Sequence, residues 1–196
     1  MKIIMKNYNT LLNRYGVNTP LRLAHFFAQI EHESGLKPIK ENLNYSARQL
    51  LKVFPRYFTA ETAKVFQYKP ELIANIVYGG RMGNGKNNGD GWKYRGRGLM
   101  QITGYNQYKM LSDFTGIDYV NNPDLLLNEA DAMISALWYW KMGNLNRYAD
   151  IDNLDAISDI INIGKRTDRH GDANGFGHRS ELLTKWKKHY KVETRN

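Results

Sequence analysis

Apolar residues recur along this chain with a helical period. Between positions 20 and 34, Leu23, Phe26, Phe27 and Ile30 gather on one face. Thr19 suits the N-cap, Pro20 the first helical position and Gly35 a left-handed stop, so the pattern predicts a helix over 20–34. On its wheel His25 and His32 fall on the polar side, and Glu33 falls at the margin of the apolar face beside Phe26 and Ile30. Further helices are predicted near 47–54 and 60–68, from Pro70 to a stop at Gly79-Gly80, over 105–115 up to Gly116, and over 154–162 and 178–190. Pro123, after Asn122, starts another, whose run through Trp140 carries Ala130, Met133, Ile134, Ala136, Leu137, Trp138 and Trp140 and reads as the central core helix.

Residues 79–98 break this rhythm, with 8 of the chain's 17 glycines. Such density forbids a regular helix and suggests a loop or small irregular hairpin, to which Trp92 and Tyr94 lend strand character. Loops of this length in compact domains are usually functional. The expected architecture is mainly α, α+β at most, with a cleft between helical lobes.

Composition narrows the chemistry. The 196 residues suit one domain with a sizeable core, and no linker, repeat or low-complexity tail divides them. Without cysteine there is no disulfide, thiolate nucleophile or cysteine zinc site. Residues 1–7 hold an apolar run of only three, against the roughly 7–15 of a secretory segment. The expectation is therefore a chain made in the cytoplasm without a signal peptide. The balance of 28 Lys and Arg against 19 Asp and Glu gives +9, which favours an anionic partner: nucleic acid, lipid headgroups or wall polymer. A solvated basic surface explains the charge equally well.

Two carboxylates stand out. Glu33 ends the first predicted helix, and Glu41 follows eight residues later in an Asn-rich loop. One carboxylate on a rigid helix and one on the returning loop are the minimum equipment for acid/base cleavage of a glycosidic bond. A general acid must keep its proton near neutrality. Burial beside Phe26 and the negative end of the helix dipole would both favour that at Glu33, with burial the larger effect. Glu41, in polar surroundings, would stay ionised and activate water. Two unrelated surface glutamates are the plain alternative.

The wider pattern favours the first view. His32-Glu33-Ser34-Gly35, Glu41-Asn42-Leu43-Asn44-Tyr45-Ser46, Val77-Tyr78-Gly79-Gly80-Arg81-Met82-Gly83-Asn84 and Tyr94-Arg95-Gly96-Arg97-Gly98-Leu99-Met100-Gln101-Ile102-Thr103-Gly104 occur in order. Together they closely resemble the glycoside hydrolase family 19 chitinase-like domain, and most of all its compact bacteriophage endolysins, over about residues 22–190. The resemblance implies a lysozyme-like helical fold and inverting cleavage of β-1,4-linked N-acetylhexosamine polymers. It implies Glu33 as general acid, Glu41 as general base and Thr103 as the hydroxyl that orients the attacking water. Gln101, Gln107, Asn162 and Arg179 fall at family cleft positions. Asn162-Ile163-Gly164 stands where chitinases show Asn-Gly-Gly, and the loops are short. Both departures favour a peptidoglycan substrate over chitin. Residue type adds His32, Tyr45, Trp92, Tyr94 and Asn106 as candidate sugar contacts, since sugar clefts use aromatic faces with amide and hydroxyl groups.

Other signals carry less. Gly80-Arg81-Met82-Gly83-Asn84-Gly85-Lys86-Asn87 nearly spells a phosphate loop but ends in Asn where Ser or Thr is needed. His32-Glu33 lacks the second histidine of a zinc protease, because position 36 is Leu. No metal and no cofactor is expected. Lys185-Trp186-Lys187-Lys188-His189-Tyr190-Lys191 is either a helix with a solvated basic face or a contact for an anionic wall or outer-membrane surface. The resulting expectation is a monomeric, single-domain endolysin over 1–196, without a separate wall-binding domain. It would cut the N-acetylmuramic acid to N-acetylglucosamine linkage of peptidoglycan, with no nucleic acid partner. The alternatives are a chitinase and a non-catalytic basic binding module.

Overall fold

The computed structural model describes residues 8–192. Residues 1–7, on which the signal-peptide reading rests, lie outside the described residues. In chain order the elements are α1 (Asn9–Arg14), α2 (Pro20–Ser34), β1 (Ile39–Lys40), α3 (Ala47–Val53), α4 (Ala60–Phe66), α5 (Pro70–Tyr78) and α6 (Asp90–Lys93). Then follow β2 (Arg97–Gly98), α7 (Tyr105–Thr115), a 3-10 stretch (Pro123–Leu127), α8 (Glu129–Met142), α9 (Asn146–Asp150), α10 (Leu154–Asn162) and α11 (Phe176–Tyr190). The fold is mainly helical, with one two-stranded sheet among the described residues. None of the described helices is long and apolar enough to cross a membrane. The chain divides into two compact units: residues up to Lys37 together with those from Met133 onward, and Pro38–Ala132.

The first unit is organised by α2. Thr19 Oγ1 accepts from the Arg22 amide at 3.2 Å, and Gly35 closes the helix at φ +63, as its sequence signals require. Phe26 meets Trp140 of α8 edge-on with ring centroids 5.4 Å apart, and Phe27 stacks on Trp186 of α11 at 5.1 Å. Trp138 and Trp140 are both buried, as the apolar run predicts. His25 departs from the wheel, which puts it on the polar side. It is fully buried, with Nε2 2.8 Å from Asp152 Oδ1. A wheel cannot foresee that α2 is covered on more than its apolar stripe. The basic face of α11 is also partly spent within the unit. Lys185 pairs with Glu31 at 2.5 Å, Trp186 Nε1 donates to the same carboxylate at 2.6 Å, and Lys187 pairs with Asp152.

The second unit packs Leu43, Leu50, Phe58, Ala63, Ile73, Ala74 and Val77 into its core. Reciprocal capping at Ser46 with Gln49 and at Thr59 with Thr62 starts α3 and α4. Two expectations change here. Trp92 and Tyr94 are not strand residues: Trp92 lies on α6 and Tyr94 caps it. The strand falls at Arg97–Gly98 and pairs antiparallel with Ile39–Lys40, Ile39 opposite Gly98 and Lys40 opposite Arg97. The helix predicted from Pro123 through Trp140 is two elements. Asn128 adopts extended backbone (φ −76, ψ 140) and accepts from the Ala132 amide at 2.9 Å, so a 3-10 stretch ends and α8 begins there.

Candidate active site

Each unit builds one carboxylate centre. In the first, Glu33 lies on the last turn of α2 with its side chain 23% exposed. Its Oε1 receives Arg179 Nη2 at 2.5 Å. Arg179 itself is 1% exposed. Its Nη1 donates to Gln29 Oε1 at 2.5 Å and its Nε to the Asn174 carbonyl at 3.1 Å. Gln29 sits one turn before Glu33 on the same helix face, so a single guanidinium fork ties two residues of α2 to α11. Asn162 extends the network, its Oδ1 accepting from the Asn174 amide at 2.8 Å. Glu33 therefore stands against a buried cation, where the wheel placed it against apolar side chains. No described residue bonds its Oε2.

His32, beside Glu33, has Nδ1 2.8 Å from His178 Nδ1. Such a contact needs one N–H and one lone pair, so one of the two rings is neutral at that atom. Burial, and then the Arg179 guanidinium, hold the His32 imidazole below its ordinary value. Tyr139 is also near: burial, and then the Glu33 carboxylate, push its hydroxyl up.

The second centre follows from the strand register. With Lys40 opposite Arg97, Glu41 comes level with Gly96, and its amide donates to the Gly96 carbonyl at 2.8 Å. The Gly96 amide returns a bond to Glu41 Oε2 at 3.3 Å, and Tyr78 Oη donates to Glu41 Oε1 at 2.6 Å. Burial, and then Glu41, push the Tyr78 hydroxyl far above its ordinary value, so it stays a donor. Tyr45 also feels this carboxylate: burial first, then Glu41, raise its hydroxyl.

Gly96 is the meeting point of this centre. A Cβ there would stand 2.7 Å from Gln101 Oε1 and 3.2 Å from Thr103 Oγ1, so only glycine admits both side chains. Gln101 occupies a left-handed position (φ +52) in the tight turn between Arg97 and Ile102. Its Nε2 donates to the Ile39 and Gly98 carbonyls at 3.0 and 3.1 Å, which pins both strands. Thr103 Oγ1 donates to the Gln101 carbonyl at 2.8 Å, and its amide donates to Gln107 Oε1 at 3.0 Å.

The candidates thus separate by position. Glu33, His32, Arg179 and Asn162 form one cluster; Glu41, Gln101, Thr103 and Gln107 form the other, with Tyr45 nearby. Asn106 is exposed and lies against Gly83. Trp92 packs on the core and is covered by the Arg95 guanidinium, 3.5 Å from its ring centroid, which takes that face from a sugar. Tyr94 is 3% exposed and donates to the Val120 carbonyl at 3.3 Å, so it is a core residue. Sequence reasoning missed Tyr78, Gln29, His178 and Tyr139. Tyr78 lay inside a quoted motif, and Gln29 was four residues before Glu33. Nothing local marked His178 or Tyr139.

Comparison with known proteins identifies the family and the fold. The family model for class I chitinases matches residues 66–172, which include Gln101, Thr103 and Asn162 but neither glutamate. A glycosyl hydrolase family 19 domain-containing protein of Haemophilus influenzae is 38% identical over 185 residues, 93% of this chain and 86% of that protein. An acidic 27 kDa endochitinase of Solanum lycopersicum is 34% identical over 70 residues, only 35% of this chain and 25% of that protein. Chitinase C of Streptomyces griseus shares the fold, with a TM-score of 0.58 and 21% identity over 90% of this chain and 75% of that chain.

Proposed function

This chain belongs to glycoside hydrolase family 19, the class I chitinase family, and we propose that it hydrolyses the β-1,4-linked glycan strands of bacterial peptidoglycan as an endolysin. It is a chitinase-like glycoside hydrolase; the substrate and the roles of individual residues are what is proposed. The observation that carries the mechanism is the pair of anchored carboxylates. Glu33 is fixed through Oε1 with Oε2 left open, and Glu41 is held on both oxygens by Tyr78 and Gly96.

In this reading Glu33 donates its proton to the glycosidic oxygen as the bond from C1 to that oxygen breaks. Glu41 takes a proton from a water molecule, and the water oxygen attacks C1 from the opposite face. The new hemiacetal has the inverted configuration. Thr103, whose hydroxyl lies against Gly96 beside Glu41, orients the water. Arg179 keeps Glu33 in place and stabilises the carboxylate left after proton donation.

The choice of peptidoglycan over chitin is supported by the +9 charge, which suits an anionic wall. The names of the plant relatives favour chitin, a neutral polymer. Parallel digestion of purified peptidoglycan and soluble chitin oligomers separates the two. Peptidoglycan should be released, and Glu33→Gln should lower that release by about a hundredfold or more with unchanged circular dichroism. Glu41→Gln should be severely impaired as well. Near-wild-type turnover by Glu33→Gln would remove it as the acid, and exclusive use of chitin oligomers would replace the peptidoglycan reading.

A further inference from the structure

Eight non-glycine residues among those described hold positive φ, and Tyr68 (φ +58) is the one aromatic side chain in that set. The left-handed region crowds Cβ against the backbone, so a bulky residue there is costly and persists only where its surroundings hold it. The local chain accounts for the conformation but not for the side chain. Tyr68 lies in the short link between α4 and α5. The Gln67 amide ends α4 by donating to the Ala63 carbonyl at 2.9 Å, and Pro70 opens α5. The Tyr68 amide donates to the Tyr45 carbonyl at 2.8 Å. All of these are backbone bonds, and glycine or asparagine would make the same turn with less strain.

The ring has no structural task to offset that cost. Tyr68 is 60% exposed, more than any other described Phe, Tyr or Trp, and it is not part of the core of its unit. No described residue stacks on the ring or bonds its hydroxyl. Its anchor, however, leads to the second carboxylate centre. Tyr45, whose carbonyl holds the Tyr68 amide, follows Glu41 by four residues, and its hydroxyl is raised in part by that carboxylate. The Tyr45 ring itself stands edge-on to Phe54, centroids 5.5 Å apart, and packs on the core. Trp92 is covered by Arg95, and Tyr94 is buried. The aromatic rings that the sequence offered as sugar contacts in this unit are thus spent inside it, and Tyr68 is open.

We propose that Tyr68 is a carbohydrate platform, on whose exposed ring an N-acetylhexosamine residue of the bound glycan packs, in the same unit as Glu41. A β-linked pyranose presents axial C–H groups on its faces, and these pack on an aromatic face. The strained backbone fixes where the ring stands before substrate arrives, which lowers the ordering cost of binding. The proposal rests on Glu41 belonging to the active centre. It holds for peptidoglycan and for chitin alike, since both carry N-acetylglucosamine.

The test pairs binding with stability, in a Glu33→Gln parent that does not turn the probes over. Tri-N-acetylchitotriose and the peptide-free tetrasaccharide of peptidoglycan are titrated by calorimetry. Tyr68→Asn should weaken binding of whichever oligomer the parent holds more tightly by about tenfold. Tyr68→Phe, which keeps the ring, should bind as the parent does. Asparagine tolerates the left-handed backbone, so Tyr68→Asn should melt no lower than the parent. A ring that only supports the fold predicts the reverse, a lower melting temperature with unchanged binding, and that result would overturn the proposal. So would a fall in both, since the fold would then account for the loss. Weaker binding by Tyr68→Phe would overturn it by assigning the contact to the hydroxyl, and a parent that binds neither oligomer would overturn it as well. An enzyme that cuts peptidoglycan while Tyr68→Asn binds like its parent loses only the platform. One whose chitotriose binding depends on the ring, but which leaves peptidoglycan intact, loses only the peptidoglycan reading.

Discussion

Arg179 decides how Glu33 is held. Removing it would leave a glutamate uncompensated and a buried glutamine without its donor. Arg179→Ala should therefore cost about 3–5 kcal/mol of stability, read by chemical denaturation, and should lower turnover as well. A loss below about 1 kcal/mol would mean that the fork does not organise the site. His25 sets a pH dependence. Burial holds its imidazole below the ordinary 6.5, although the Asp152 carboxylate pulls the other way. The unfolded chain then binds more protons than the folded one as pH falls through about 6.5. The stability this group contributes is present above that pH and lost below it. The melting temperature should fall from pH 7.5 to 5.5, and His25→Gln should flatten the slope, the rest coming from His32, whose value is also lowered. An unchanged slope would contradict the assignment. At this scale Glu33, Glu41 and Thr103 were legible because they sit in ordered motifs. Arg179 was legible only as a position, since its partner Glu33 lies 146 residues away and no local pattern encodes such a pairing.

Among the elements, those with explicit stops were read to the residue. Pro20–Ser34 and Tyr105–Thr115 match and end at left-handed glycines; Leu154–Asn162 also matches, although Ile163 caps it without such a stop. The split of 123–140 was not legible, because the apolar period runs through Asn128 while the backbone there turns extended. Nor was the strand pair, at two residues each, long enough to show a period. Yet that pair brings Glu41 to Gly96. Gly96→Ala would drive a Cβ into Gln101 Oε1 and crowd Thr103. It should cost about 1–3 kcal/mol and depress activity more than a stability loss of that size explains, checked by melting and turnover on the same preparation. Full activity at reduced stability would show that Gln101 and Thr103 can shift without consequence.

For the whole molecule, charge is the most exposed claim. On the peptidoglycan reading proposed above, a net +9 would draw the protein to an anionic wall by forces that salt screens within about 8–10 Å at ordinary ionic strength. Raising salt from about 0.05 to 0.3 M should slow peptidoglycan digestion severalfold and leave hydrolysis of neutral chitin oligomers nearly unchanged. Equal salt dependence on both would remove charge from substrate choice. Lys185 and Lys187 already have carboxylate partners, so the C-terminal helix contributes less free charge than its sequence suggests. The most direct measurement is the chemistry of the cut itself. Purified peptidoglycan is digested, the products are reduced with borohydride, and the new sugar ends are identified by mass spectrometry with Glu33→Gln in parallel. Reduced N-acetylmuramic acid ends, absent from the variant digest, are the predicted result. Reduced N-acetylglucosamine ends, or ends formed equally by the variant, would contradict it.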